Sequence, residues 1–466
     1  MSKVDVTIIG GGPGGYVAAI KAAHLGLKVV LVEKDRLGGV CLNKGCIPTK
    51  ALVSTAEILH NIKRADEFGI GVEGISVDFV KIMNRKEQIV KRLTSGVEQL
   101  LKANQIRTIF GEGSILEPGV VEVTGNDKQK ELIETKNIII ATGSSAMKLP
   151  IPGLNLDGVI TSDEILTLQK LPARLLIIGG GVVGIEFAGI FNALGVEVTV
   201  VEMLPQILPP IDEEISQRLS LILKKRGIKI LINSKVKEIK KNDQNLEVIV
   251  SAPGGEDLIL PAEKILLSAG RVPDFGNIDM ERLGIELEDK AIKVDEKMKT
   301  NIPGIYAIGD VVGKVMLAHV ASAEGKVAVE NIAGEERTMN YKTIPNCVFS
   351  IPEVASVGLT EKEAREKYPR TKISKFPFMA NGKALGMGEV EGLVKIIADE
   401  DNFEILGLHI LGSHASDLIA EGTLAISMEA TAEEIIDTIH AHPTLPEIIA
   451  EAAEGIVGKP IHMVRG

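Results

Sequence analysis

Val4–Gly15 reads VDVTIIGGGPGG, an apolar run that breaks into a glycine-rich turn, and Arg174–Gly184 repeats it as RLLIIGGGVVG. Gly10, Gly12 and Gly15 map onto Gly179, Gly181 and Gly184, 169 residues later, and Leu25-Gly26 maps onto Leu194-Gly195. In each copy a glutamate, Glu33 or Glu202, closes a second apolar run 23 residues after the first glycine. The order strand, G-x-G-x-x-G turn, helix, strand is that of a dinucleotide-binding unit. The first glycine permits the tight turn, the second lets backbone amides approach a pyrophosphate, and the third lets helix and strand pack closely. The helix N-terminus then turns its free N–H groups toward the phosphates. A glutamate at the end of the second strand is placed to accept hydrogen bonds from an adenosine ribose. One such fingerprint is weak evidence; two copies in the same context are strong.

The second copy also discriminates between nicotinamide cofactors. Glu202 is followed by Met203-Leu204-Pro205, without the Arg or Lys that would pair with a 2′-phosphate. A carboxylate there repels such a phosphate, so NAD is favoured over NADP.

Composition sets the frame for these units. The chain has 466 residues, of which 45% are hydrophobic and 25% charged, the balance of a globular protein of about three domains. Its 48 glycines exceed the average usage of ~7%. A net charge of −11 without a basic run argues against a nucleic-acid partner. Glu186 and Asn192 interrupt the most apolar region, so no run reaches the ~18 residues of a membrane span. The opening Ser2-Lys3-Val4-Asp5 lacks a basic leader, an apolar core and a cleavage site, and the expectation is a cytoplasmic protein without an export signal. Three cysteines do not make a disulfide scaffold, which points to a reducing compartment.

Two of those cysteines stand close together in Gly38–Lys50, GGVCLNKGCIPTK. In a regular helix, Cys41 and Cys46 would lie about five rises of 1.5 Å apart, too far for a comfortable bridge. A disulfide between them demands a distorted turn, which Gly45 eases, and a short constrained bridge suits redox chemistry. Two buried reduced thiols remain an alternative. So does zinc, although no second Cys/His cluster lies at suitable spacing. Cys347 stands alone in an apolar stretch and reads as an inert core thiol, and the remaining histidines suggest no metal site.

The segment GGVCLNKGCIPTKAL resembles the active-site segment of the flavin-dependent disulfide reductases, and the likeness continues along the chain. Ala141-Thr142-Gly143-Ser144 is similar to the family's A-T-G-S segment, and Thr300–Val311, TNIPGIYAIGDV, to the stretch whose aspartate meets flavin ribitol. Met316-Leu317-Ala318-His319 resembles the stretch along the isoalloxazine, and His440–Glu447, HAHPTLPE, the family's H-x-H-P-T-x-x-E. One departure is Asp274, in Gly270–Asp274, where the family usually has Asn. Within the family, the combination is most similar to the members that reoxidise protein-bound dihydrolipoamide as the E3 component of 2-oxoacid dehydrogenase or glycine cleavage complexes.

That resemblance implies an α/β fold with two Rossmann-like domains, for FAD and NAD, and a C-terminal α+β dimerisation domain. The implied boundaries are 1–146 with 273–340 for FAD, 147–272 for NAD and 341–466 for dimerisation. It implies that Cys41 exchanges with substrate, that Cys46 lies against the flavin, and that Lys50 pairs with Glu186 near flavin N5. His442, oriented by Glu447, is the implied base and arrives from the other subunit of a homodimer. FAD contacts fall on Gly10, Gly12, Gly15, Glu33, Lys50, Gly113, Thr142, Gly143, Ser144, Asp310, Met316, Leu317, Ala318 and His319. NAD contacts fall on Gly179, Gly181, Gly184, Glu186, Glu202, Val236 and Gly270. Implied partners are lipoyl domains and the peripheral subunit-binding domain of an E2 acyltransferase, or a glycine cleavage H protein. NADPH-using members would carry basic residues after the second fold, and others need cysteines beyond Cys347, which this chain lacks. A flavoprotein kept only as a scaffold is the rival from another class.

Overall fold

The computed structural model describes residues 3–242 and 245–463. Strand β1 (Val4–Ile9), helix α1 (Pro13–His24) and strand β2 (Val29–Glu33) form the first fingerprint, with Pro13 opening the helix. Beyond it come the short helix α2 (Gly39–Lys44) and the long helix α3 (Cys46–Lys63). The parallel sheet runs in the order Arg107–Glu117, β2, β1, Lys130–Ile140, Ile305–Ala307. The central strands β1 and β2 are apolar and almost wholly buried, whereas Arg107–Glu117 and Lys130–Ile140 are partly exposed where they run on into a meander. The last strand returns from far along the chain, so TNIPGIYAIGD closes the sheet that VDVTIIG began.

The second fingerprint builds the same object. Strand β3 (Arg174–Ile178), helix α4 (Val182–Ala193) and strand β4 (Glu197–Val201) stand in for β1, α1 and β2. The parallel order is Lys229–Leu231, β4, β3, Lys264–Leu267, Val159–Thr161. Each unit also carries a three-stranded antiparallel meander, 107–125 with 130–140 in the first and 235–262 in the second. The repeat therefore extends beyond its motif. The chain leaves the first unit through Ser144–Ala146 and returns through Arg271–Pro273, and these two segments pair antiparallel.

Residues from Asn346 onward form a five-stranded antiparallel sheet in the order Asn346–Val348, Glu353–Gly358, Ile405–Gly412, Leu393–Asp399, Thr371–Pro377. One face, with Val394, Ile396, Leu408 and Ile410, packs on the helix Glu447–Val457 through Ile448, Ile449 and Ala452. The other face, with Leu393 and Leu411, shares a core with Phe187 and Phe191 of α4. The two-residue alternation of a strand puts Lys395 and His409 on that second face too. Lys395, 1% exposed, meets Asp212 at 2.8 and 3.0 Å and Glu361 at 2.8 Å. Asp212 belongs to the second unit, so this buried cluster clamps that unit onto the C-terminal sheet. None of the described helices is long and apolar enough to cross a membrane.

Asp212→Ala removes the buried carboxylate that meets Lys395 but leaves it Glu361, so it should lower stability by about 2 kcal/mol. Asp212→Leu with Lys395→Met should cost clearly less, as read from urea unfolding of the holoprotein.

Candidate active site

Gly45 (φ −144°, ψ −108°) ends α2, and α3 restarts at Cys46. A Cβ on Gly45 would lie 3.2 Å from the Val40 carbonyl oxygen, so a side chain there would press on the break itself. The break replaces the regular helix that would have separated the thiols, and Cys41 and Cys46 come within hydrogen-bonding reach. Cys41, Cys46 and Cys347 stand here as free thiols. The Cys41 thiol donates toward Cys46, and with the Lys50 ammonium it outweighs burial, bringing Cys46 down to about 7. The same hydrogen bond and burial push the Cys41 thiol up. Of the two sulfurs, Cys46 is the one whose thiolate is favoured.

Lys50 lies one helical turn beyond Cys46 in α3, on the same face. Its Nζ donates to Glu186 Oε1 at 2.8 Å and Oε2 at 2.9 Å. Glu186 sits in α4 of the second unit, 4% exposed among Ile185, Phe187 and Ala188. Its Oε1 also accepts the Phe349 N–H at 3.0 Å, and Lys50 Nζ stands 4.3 Å from the Phe349 ring centroid.

The glycines separate into two kinds. A Cβ on Gly10 would sit 2.1 Å from the Ala141 carbonyl oxygen, and one on Gly15 1.8 Å from that of Gly10. Gly179 and Gly184 face the same overlap with Ser268 O and Gly179 O, at 2.5 and 2.1 Å. The middle glycines are different: a Cβ on Gly181 would meet nothing within 4 Å, and on Gly12 only Gly39 Cα at 3.9 Å. The protein's own packing does not require those two, whereas close approach of a dinucleotide does. Both also cap their helices without a side-chain hydrogen bond, leaving first-turn N–H groups for phosphate. Glu33 accepts Gly11 N–H at 2.6 Å and Asp35 N–H at 2.7 Å; Glu202 accepts Gly180 N–H and Leu204 N–H at the same two distances. Each carboxylate shapes its loop and keeps lone pairs for a ribose.

Around the first unit, Asp310 accepts from the Ser144 hydroxyl, which in turn accepts from Arg271 Nε at 2.7 Å. Gly143 (φ +81°) accepts the Asp274 N–H at 3.0 Å, while the Asp274 carboxylate takes the Gly276 N–H at 2.9 Å. Thr142 Oγ1 and Asn43 Oδ1 are buried with no hydrogen-bond partner among the described residues, polar atoms that suit a bound FAD. Met316, Leu317 and Ala318 lead into the helix Ala318–Ile332, and His319 Nε2 stands 3.0 Å from Pro345 O. A Cβ on Gly113 would press Ile9 at 3.0 Å, beside the first glycine turn. In the second unit, Val236 packs under β4 with Val201, and Gly270 (φ +110°) accepts Met147 N–H where the chain crosses back.

His442 Nδ1 meets Glu447 Oε1 at 2.8 Å, and Glu447 Oε2 accepts Thr444 N–H at 2.6 Å. Burial would raise Glu447, but these two donors hold it below the usual carboxylate range. The dyad is therefore formed, yet among the described residues nothing hydrogen-bonds it to the cysteine pair, and the His442 side chain is 80% exposed. Three groups were not singled out from sequence. Glu324, 1% exposed, accepts Gly309 N–H and Tyr341 O–H, both at 2.6 Å, and so holds the turn that carries Asp310. A charge inside the small-residue helix AHVASAEG was the available signal. Arg271 and Phe349 gave none.

Residues 4–325 match the family model described as pyridine nucleotide-disulphide oxidoreductase, and residues 344–453 match that family's dimerisation domain. The chain belongs to the pyridine nucleotide-disulphide oxidoreductase family. Two relatives among others are a dihydrolipoyl dehydrogenase of Bacillus subtilis (strain 168), 46% identical over 99% of each chain, and one of Chlamydia pneumoniae, 42% identical over 99% of this chain and 98% of that one. A solved structure, the Cu(II) complex of the HOCl-induced flavoprotein disulfide reductase RclA from Escherichia coli, matches with a TM-score of 0.88 at 28% identity, over 97% of this chain and 99% of that one. This family member is thus an oxidoreductase, and its cofactors are FAD and NAD.

In the reduced protein, alkylation of Cys46, followed by mass spectrometry, should rise with pH through about 7. Cys41→Ala removes the donor and should carry that midpoint to about 8.5 or above.

Proposed function

We propose that this chain is a dihydrolipoyl dehydrogenase, which oxidises protein-bound dihydrolipoamide to lipoamide and reduces NAD to NADH as the E3 component of a 2-oxoacid dehydrogenase or glycine cleavage complex. The observation that carries this reading is the Cys41–Cys46 pair, with the Cys46 thiolate favoured, beside a Lys50–Glu186 pair, its carboxylate buried, that links the two dinucleotide units. Relatives that are 40–46% identical over nearly the whole chain bear the dihydrolipoyl dehydrogenase name.

The overall reaction moves two electrons from a dithiol to NAD, which takes them as hydride, and releases one proton. Bound FAD supplies the conversion between sulfur and hydride chemistry. In the oxidised form, with Cys41 and Cys46 joined as a redox disulfide, substrate thiolate attacks Cys41 Sγ, and the S–S bond breaks with Cys46 leaving as the better-stabilised thiolate. The second substrate sulfur then displaces Cys41, completing lipoamide and leaving the cysteine pair reduced. Lys50 holds positive charge beside Cys46, and Glu186 fixes where that charge sits. His442 takes the substrate thiol proton at Nε2, while Glu447 on Nδ1 fixes the tautomer and stabilises the cation.

His442 serves the cysteine pair of a second copy of the chain, so the catalytic unit is a homodimer. Its exposure supports this, as do Ile439, 97% exposed three residues earlier, and the exposed Leu424 and Met428. In this reading residues 1–146 and 273–340 bind FAD, 147–272 bind NAD, and 341–466 form the dimer. The FAD and NAD contacts fall on the residues assigned from sequence, with Glu202 selecting NAD. Lipoyl domains and the peripheral subunit-binding domain of an E2 acyltransferase, or an H protein, are the partners, and the cytoplasm is the compartment.

Anaerobic titration with dihydrolipoamide should develop long-wavelength absorbance, and adding NAD should yield NADH, with little product from NADP. A flavin unchanged by dihydrolipoamide but responsive to NADH would remove lipoamide as substrate. Cys46→Ser should abolish dithiol turnover. His442→Gln should lower it by at least about 100-fold while NADH still reduces the flavin.

A further inference from the structure

The Lys50–Glu186 pair, buried at its carboxylate end, has a third partner that the reaction above does not use. Phe349 directs two groups at it: its backbone N–H donates to Glu186 Oε1 at 3.0 Å, and its ring face lies 4.3 Å from Lys50 Nζ. An ammonium at that distance over an aromatic ring is held by the ring quadrupole. Lys50 is thereby held between a carboxylate and a π-face, one helical turn from Cys46, whose thiolate its charge favours.

The segment carrying Phe349 is itself immobilised. Asn346–Val348 pairs with Glu353–Gly358, the buried Ser350 hydroxyl donates to Pro352 O at 2.6 Å, and Arg226 Nη1 donates to Ile351 O at 2.6 Å. Lys50 and Glu186 fall in the stretch 4–325, whereas Phe349 falls in the dimerisation stretch 344–453 of the same chain. The C-terminal sheet therefore contributes to the redox site from within its own chain, in addition to anything a second copy brings.

We propose that Phe349 is a positioning residue of the redox site, which holds Lys50 and Glu186 in one geometry and so keeps the lysine charge on Cys46. This rests on Cys41 and Cys46 being the redox pair. Without the π-face, Lys50 gains rotamers that carry its ammonium away from the sulfur, and the Cys46 thiolate loses part of its stabilisation. Among the described residues Phe349 makes no hydrogen bond to either sulfur, and its effect passes through Lys50.

The test is graded fluorination of Phe349 in the holoenzyme, by incorporation of mono-, di- and pentafluorinated phenylalanine. Fluorine drains the ring face at nearly constant shape. The readout is the pH midpoint of Cys46 alkylation in the reduced protein, with FAD content as the control for folding. The midpoint should climb stepwise from about 7, in all by roughly half a pH unit. Phe349→Tyr, which retains the π-face, should stay with the unmodified protein. Phe349→Met, similar in volume but without a ring, should match the most fluorinated form and reads the same contact if incorporation disturbs folding. A midpoint that stays put across the series and in Phe349→Met, at normal FAD content, would overturn the proposal. A protein whose flavin ignores dihydrolipoamide would instead end the substrate assignment and leave the Cys46 series fully readable.

Discussion

Glu186 is a carboxylate in the second turn of an almost wholly apolar helix, packed where an unpaired charge would cost several kcal/mol. Its two oxygens are satisfied only by groups from elsewhere: the Lys50 ammonium from α3 and the Phe349 N–H from the C-terminal sheet. Three parts of the chain must therefore be in register before this one side chain can be buried. The same requirement places a positive charge beside Cys46 and joins the thiol pair to the second dinucleotide unit. Folding and redox poise rest here on one constraint.

Carboxylates that fasten glycine amides are the second recurring device. Glu33, Glu202 and Glu324 are each buried, and each accepts the N–H of a glycine, Gly11, Gly180 or Gly309, at 2.6 Å. A glycine turn has wide conformational freedom, and a charged acceptor on its amide narrows that freedom where a nucleotide must be met. The first two arise from the repeat. The third lies on a helix rather than at a strand end and holds the turn that carries Asp310, so one physical solution serves the repeat and a loop outside it.

The C-terminal sheet is attached at more than one place. Lys395 with Asp212 and Glu361 forms a buried charged clamp, Leu393 and Leu411 share a core with α4, and Arg226 reaches Ile351 O. Hydrophobic contact alone would tolerate sliding of one unit on another, whereas a buried ion pair is satisfied in a single register. That register carries Phe349 to Lys50. The exposed His442–Glu447 dyad is built on the same sheet's partner helix and is pre-oriented before any second chain meets it.

The two glycine fingerprints, their glutamates and the cysteine pair were legible because each depends on local chemistry: backbone freedom at Gly10 and Gly179, fixed spacing to Glu33 and Glu202, and a helix broken at Gly45. A repeat of local requirements determines an α/β fold of two such units, and Met203-Leu204 after Glu202 already separates NAD from NADP. The pairing of Lys50 with Glu186 was reachable only through resemblance, since 136 positions of chain separate them. Glu324 carried a readable sign, a charge in a helix of small residues, but its acceptor role depends on Gly309 and Tyr341 lying beside it. Phe349, Arg271 and the Lys395 clamp had no local sign at all. Their roles come from long-range packing of one unit on another, where neighbours are chosen by burial and charge satisfaction rather than by spacing along the chain.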